Sequence, residues 1–202
     1  MRLLLALIVL AAIGCAGEPP PTLDDISSDV RIDTLPNQAH VAVDGKDQGP
    51  APATIHVAAG QSYRIAVTAV GFEPRNFGGS GDELLKNRTV QIILAPQGFE
   101  GAPPSSDDVA GISAAAEALE RRKSWGQAAE YWHRVIELAP RGARGHKGLG
   151  SCLAKLGKDE LAIREYEQYL FLDPDAEDAA RVRKAIDSFR GGIEIKTAPA
   201  EP

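Results

Sequence analysis

The chain lacks the features that mark disulfide-bonded, membrane-spanning and nucleic-acid-binding proteins. Only two of its 202 residues are cysteine. Its apolar run at residues 3–13 is far shorter than the roughly 20 residues that span a bilayer. Its 22 basic residues are outnumbered by 28 acidic ones, whereas nucleic-acid binding needs an excess of positive charge. We therefore expect no disulfide framework, no spanning helix and no nucleic-acid partner.

Motifs of the common enzyme classes are also missing. The four histidines have no metal-ligand spacing, and no Gly-rich phosphate loop, nucleophile elbow or Ser/Lys signature is present. Asp44 and Asp47 lie beside Gly45 as in a calcium loop, but the acidic ligand that closes such a loop is absent. The sequence therefore predicts a protein that is not an enzyme and that holds no metal or cofactor.

Residues 1–14 are typical of a secretion signal. A positive start is followed by the apolar run, and Pro19–Pro21 come too soon afterwards for this run to be a buried helix of a domain. The small residues before Cys15 fit an ordinary cleavage site. A second possibility is cleavage directly before Cys15 itself.

The stretch "LAAIGC", which ends at Cys15, resembles the bacterial lipobox, with Ala12 where leucine is usual. The resemblance implies that Cys15 becomes the first mature residue and carries acyl chains such as palmitate. Each buried methylene of these chains favours membrane binding by about 0.8 kcal/mol. Ala16 follows the cysteine where inner-membrane lipoproteins of this kind have aspartate. We therefore expect an envelope lipoprotein anchored in the outer membrane, facing the periplasm, rather than in the inner membrane.

Three segments rich in proline, glycine or charge divide the rest of the chain. Residues 15–27 are the acylated cysteine and a spacer, residues 97–106 an interdomain linker, and residues 191–202 a flexible tail. Two bodies remain, at residues 28–96 and 107–190, and their hydrophobic periods differ. The sequence therefore predicts a multidomain protein, β first and then α.

Residues 28–96 alternate between apolar and polar side chains, as in strands with one buried face. Turn residues such as Asp44-Gly45 separate the runs, which indicates a small antiparallel β-domain of about five strands. The pattern across residues 36–72, which starts "PNQAHVAVDG", resembles the PEGA domain, although Gln38 stands where the family has glycine. The resemblance implies a β-sandwich-like module for display or adhesion at the bacterial surface, with no known chemistry.

Residues 107–190 have helical spacing and an internal repeat. The segment "AAEYWHRVIELAP" (128–140) aligns with "AIREYEQYLFLDP" (162–174) at an offset of 34 residues, which resembles the tetratricopeptide repeat. The resemblance implies an array of helical hairpins in which small residues such as Gly150 let helices approach closely. A C-terminal capping helix is expected at residues 175–189.

In that family, fixed positions on the first helix of each repeat line a ligand groove. Carried onto this sequence, they predict a largely cationic partner-binding surface: Arg144, Lys147, Ser151, Ala154, Lys155 and, from the capping helix, Arg181. Such cations suit a peptide that carries carboxylates or a free C-terminus. The simpler alternative is that these side chains only keep an exposed face soluble.

The predicted function is that of a membrane-anchored, non-catalytic interaction or scaffold module that recruits a protein partner through its helical repeats. The alternative is a cell-wall or surface-polysaccharide binding protein that uses the β-domain, with the helices as a structural support. Binding of each part to peptidoglycan and to envelope extract would distinguish the two.

Overall fold

A computed structural model describes residues 27–197 of the chain. The predicted signal peptide (1–14), the lipidation site Cys15, most of the spacer and residues 198–202 lie outside the described residues. Within them, strands come first and the longer helices follow, as the sequence predicts. In chain order the elements are β1 (Ser27–Leu35), β2 (His40–Val43), β3 (Lys46–Pro50), β4 (Ala53–Ala58), β5 (Ser62–Thr68), β6 (Arg75–Ser80), α1 (Gly81–Asn87), β7 (Thr89–Ile93), α2 (Val109–Arg121), α3 (Trp125–Leu138), α4 (Ala143–Lys155), α5 (Asp159–Leu172) and α6 (Ala179–Thr197).

The strands form two sheets whose buried side chains belong to one core. One sheet has the order β4-β1-β7 and the other the order β3-β2-β5-β6. Successive side chains of a strand point to opposite faces, so Val30 and Ile32 of β1 are fully buried while Arg31 between them is exposed. Asp44 and Gly45 have φ values of 49° and 79° and form the two-residue turn between β2 and β3. The predicted alternation and this predicted turn are both confirmed.

Two elements near the end of the β part do not follow from the alternation. β6 has the sequence "RNFGGS", and α1 begins after Ser80, whose hydroxyl accepts a hydrogen bond from the N–H of Glu83 at 3.2 Å. α1 carries the chain from one sheet to the other, where β7 pairs with β1 in parallel. Parallel strands cannot be joined by a hairpin, and here residues 36–88 connect β1 to β7. The described β part therefore has seven strands with one parallel pair, instead of about five antiparallel strands.

Four of the five longer helices, α2 to α5, follow the internal repeat. α4 begins and ends 34 residues after α2, and α5 begins and ends 34 residues after α3. Each helix from α2 to α5 packs against the next one. Asp108 caps α2, since its side chain accepts a hydrogen bond from the N–H of Gly111 at 2.9 Å. α6 begins at Ala179 and continues to Thr197, whereas the capping helix is predicted at residues 175–189.

Two glycines of α4 set the distances to the neighbouring helices. Gly148 faces the Trp132 ring of α3, and a Cβ at this position would lie 2.3 Å from Cε2 of that ring. Gly150 faces the Tyr166 ring of α5, where a Cβ would lie 2.9 Å from the nearest ring carbon. Protein interiors are packed without room for such overlaps, so both positions need glycine.

The sheets and the helices share one continuous core, in which Tyr131 of α3 contacts the β part. The residue is fully buried, and its ring stacks on that of Phe72 with 6.2 Å between centroids. Its hydroxyl lies 3.0 Å from the carbonyl oxygen of Leu35 and 2.6 Å from that of Leu94. Burial raises the pKa of Tyr131, so the hydroxyl remains a donor to the β part.

The predicted linker is tied to both parts of the molecule. Arg75 of β6 donates to the carbonyl oxygen of Pro104 at 3.2 Å, and Arg134 of α3 donates to that of Ser106 at 2.9 Å. Pro104 is itself buried. Residues 97–106 therefore run along a joint fold and are held to it by side chains of both parts.

Candidate functional site

Five of the six predicted partner-binding residues, Ala154 among them, line one groove between α4 and α6. Lys147, Ser151 and Lys155 are four residues apart on α4, so they lie on one face of that helix. Arg181 of α6 lines the same groove, which has a volume of about 490 Å³. The structure therefore brings these side chains together in a concave surface.

The sixth predicted residue, Arg144, does not line this groove. Its guanidinium pairs with Glu117 of α2 and lies 6.0 Å from the centroid of the Trp132 ring of α3. Cation–π and ionic contacts of this kind hold a side chain in place. Arg144 thus links α4 to the two preceding helices, and its role in partner binding stays a prediction.

Apolar side chains form one wall of the groove. Tyr166 of α5 and Phe189 of α6 stack with their ring centroids 6.5 Å apart, and Val182 and Ala185 extend the wall. None of these four side chains is predicted from the sequence to line the groove. The spacing of the three α6 residues, three and then four apart, is the signal that identifies them as one apolar face.

Asp178 lies between two of the predicted cations. Its Oδ2 is 2.7 Å from Nζ of Lys147 and 3.0 Å from Nη2 of Arg181, and its Oδ1 accepts a hydrogen bond from the Tyr169 hydroxyl at 2.5 Å. The hydrogen bonds from Lys147 and then from Tyr169 hold the pKa of Asp178 well below its usual range. Its side chain is only 15% exposed. The two cations are therefore held in place, and partly neutralised, by the protein itself.

Cys152 of α4 is a small buried side chain. It is fully buried, with Sγ 3.5 Å from Oε1 of Glu120, which also accepts a hydrogen bond from Nε1 of Trp132 at 2.6 Å. Burial, and then the nearby charge of Glu120, raise the pKa of the thiol. A thiol in such surroundings stays protonated and unreactive.

Within residues 27–197, no group of three or more His, Cys, Asp and Glu side chains is placed to hold a metal ion. Each of the four histidines lies beside one carboxylate. The shortest of these pairs joins Nδ1 of His146 to Glu165 at 2.8 Å.

None of the helices in this part of the chain has the length and apolar character needed to cross a membrane.

A larger cleft, of about 730 Å³, lies between the sheet that contains β1 and helix α3. β1 contributes Arg31 and Asp33, whose side chains pair at 2.7 Å, and β7 contributes Gln91. α3 contributes Glu130, which accepts a hydrogen bond from the N–H of Asn37 at 2.9 Å. Burial nevertheless raises the pKa of Glu130. The cleft thus presents amide, carboxylate and guanidinium groups.

Comparison with known families identifies the β part. Residues 27–77 match the family model of the PEGA domain. The match begins with β1 and ends within β6, so it contains the whole of the resemblance noted at residues 36–72. The chain therefore contains a PEGA domain, which suggests a surface or binding-type module. A search of curated proteins found no match to the chain.

Proposed function

We propose that the protein is a membrane-anchored, non-catalytic module of the bacterial envelope that recruits a protein partner through its helices. The observation that carries the proposal is the groove in which Lys147, Ser151, Lys155 and Arg181 lie beside an aromatic wall. Ligand sites combine an apolar lining with a few converging polar groups, and this groove has both. Its cations suit a partner segment that carries carboxylates or a free C-terminus.

Within this proposal, helices α2 to α5 are two tetratricopeptide repeats and α6 is the capping helix. The equal 34-residue offsets of the two helix pairs support the assignment. So do the close approaches at Gly148 and Gly150, where small residues let neighbouring helices pack. A capping helix covers the otherwise exposed end of such an array, and the PEGA domain lies between the array and the anchor.

The anchor in this proposal is an acylated Cys15 in the outer membrane, with the protein facing the periplasm. Its support is the lipobox resemblance in the sequence. We expect the mature protein to begin at Cys15 with the added mass of acyl chains. Because these chains supply the membrane affinity, Cys15→Ser should release the protein into the soluble fraction. A serine variant that stays with the membranes would contradict the anchor, as would an unmodified mature N-terminus elsewhere.

Lys155→Glu is the test of the groove. Lys155 is exposed, and exposed substitutions usually change the free energy of unfolding by less than about 0.5 kcal/mol. The helical circular dichroism and the Tm should therefore stay as in the wild type. Crosslinking in cells followed by mass spectrometry should recover the partner with about tenfold lower yield, because a close charge pair at an interface couples by about 1.5 kcal/mol or more.

Lys184→Glu is the matched control. Lys184 is also an exposed lysine, on α6, but it does not line the groove. This variant should recover the partner as well as the wild type does. If Lys155→Glu also recovers the partner in full, the groove is not the recruiting surface.

The second candidate, binding of cell-wall or surface polysaccharide, is supported by the cleft beside α3. Its Arg31, Asp33 and Gln91 side chains offer donors and acceptors for sugar hydroxyl groups. Co-sedimentation of the protein with insoluble peptidoglycan, lost in Gln91→Ala, would favour this candidate over recruitment of a protein.

A further inference from the structure

The groove has two positive ends along one helix. Lys147 and Lys155 are eight residues apart on α4, slightly more than two helical turns. At 1.5 Å per residue, their side chains leave the same face about 12 Å apart. Ser151 lies midway between them and also lines the groove.

Counted over the residues that line the groove, one end has a net charge of a single positive unit in spite of its two cations. Lys147 and Arg181 share the carboxylate of Asp178. Nζ of Lys147 also lies 5.5 Å from the centroid of the Tyr169 ring. Because Asp178 is paired with both cations and accepts a hydrogen bond from Tyr169, its negative charge is a fixed part of this end. One carboxylate of a ligand balances the remaining charge, whereas a phosphate, with up to two negative charges, would place an excess beside Asp178.

The other end has the single positive charge of Lys155. This side chain is exposed, and no ion pair found within residues 27–197 includes it. The Tyr166 ring faces Gly150 of α4 and stacks on Phe189, so this half-buried apolar wall lies between the two ends. The order along the groove is therefore positive, apolar, positive.

We infer that the groove binds an extended protein segment with two carboxylates four residues apart and an apolar side chain midway between them. The inference rests on the proposed function of the groove and adds the register of its ligand. An extended chain rises about 3.3 Å per residue, so carboxylates four residues apart reach both ends. Side chains two residues apart point the same way, so the central one meets Tyr166 and Phe189. Asp178 is a positioning residue: it neutralises one of the two positive charges at the end formed by Lys147 and Arg181, so that one ligand carboxylate balances the other.

Three synthetic peptides test the register by fluorescence anisotropy with the full chain in detergent. Each has nine residues of glycine and serine, blocked termini and a central leucine. The first peptide has one aspartate two residues before the leucine and one two residues after it. The second has the same composition, but its two aspartates are next to each other in the sequence. The third is the first peptide with asparagine in place of both aspartates. The first should bind about tenfold more tightly than the second, because one charge pair is lost in the latter, and the third should bind most weakly.

The outcomes separate the register from the groove function. Equal affinity of the first two peptides, with weaker binding of the third, overturns the register and leaves an acidic partner in the groove. If no peptide binds while Lys155→Glu still reduces partner capture in cells, the register is again overturned and the groove function stands. If no peptide binds and Lys155→Glu has no effect on capture, both are wrong.

Asp178→Asn tests the charge argument, because it leaves the first end with two positive charges. Phosphoserine replaces one aspartate of the first peptide, at either position in turn. The ratio of phosphoserine to aspartate affinity should rise about tenfold in Asp178→Asn relative to the wild type. Tyr169→Phe removes a hydrogen bond to Asp178 without changing charge, so its ratio should equal that of the wild type. An unchanged ratio in Asp178→Asn overturns the role of Asp178. If Asp178→Asn fails to fold, the register is still tested, because the three peptides are measured with the wild-type chain.

Discussion

Gly148→Ala is expected to destabilise the protein by about 3 kcal/mol, although alanine favours helices more than glycine does. A Cβ at Gly148 would lie 2.3 Å from Cε2 and 2.4 Å from Cδ2 of Trp132. The indole ring has no room to move aside, because it is 2% exposed and its Nε1 donates to Glu120 at 2.6 Å. Thermal unfolding followed by far-ultraviolet circular dichroism should show a Tm lower by about 10 °C.

Gly126→Ala is the matched control for this substitution. Gly126 is also a helical glycine, in α3, but a Cβ there meets nothing within 4 Å. Alanine at this position should stabilise the protein by about 0.5 kcal/mol, since glycine loses more backbone freedom on folding. If both substitutions stabilise the protein, close packing at Gly148 does not set the helix spacing, and one support for the repeat assignment is lost.

Tyr131→Ala is expected to cost about 4 kcal/mol and to destabilise the sheets and the helices together. Its ring and hydroxyl contact Phe72, Leu35 and Leu94 of the β part. Both tryptophans of the chain belong to α3, so their fluorescence follows the helices. Hydrogen exchange of peptides from β1 and β7 follows the sheet. The two probes should give one shared midpoint of denaturant unfolding in the wild type and a lower shared midpoint in the variant.

Tyr131→Phe distinguishes the hydrogen bonds of this residue from its packing. It should cost only about 1 kcal/mol, because the carbonyl oxygen of Leu35 keeps its hydrogen bond from the N–H of Leu94 at 2.8 Å.

Helices that unfold at a lower denaturant concentration than the sheets would contradict the shared core. Residues 97–106 would then be a linker between independent domains, as their composition predicts.

The groove shows how far local spacing alone can be used. Lys147, Ser151 and Lys155 could be predicted as neighbours because residues four apart on a helix share a face in any fold. Asp178 could not, because it lies in the acidic segment 173–178, a pattern typical of an exposed connection. Only the packing of α5 and α6 beside α4 brings its carboxylate to the Lys147 ammonium and the Tyr169 hydroxyl.

Short-range patterns were likewise sufficient for most of the strands, the turn at Asp44-Gly45 and the positions of α2 to α5, because each reflects geometry within a few residues or a repeated segment. They were not sufficient for the parallel pairing of β1 with β7 or for the shared core. Leu35, Leu94 and Tyr131 are far apart in the chain, and a local period carries no information about which distant segments meet. Such contacts form only after long loops close, and the entropy of closure is offset by packing of the whole molecule. Contacts between distant segments therefore determine how the sheets and helices pack together, whereas the local sequence pattern determines where most of these elements form.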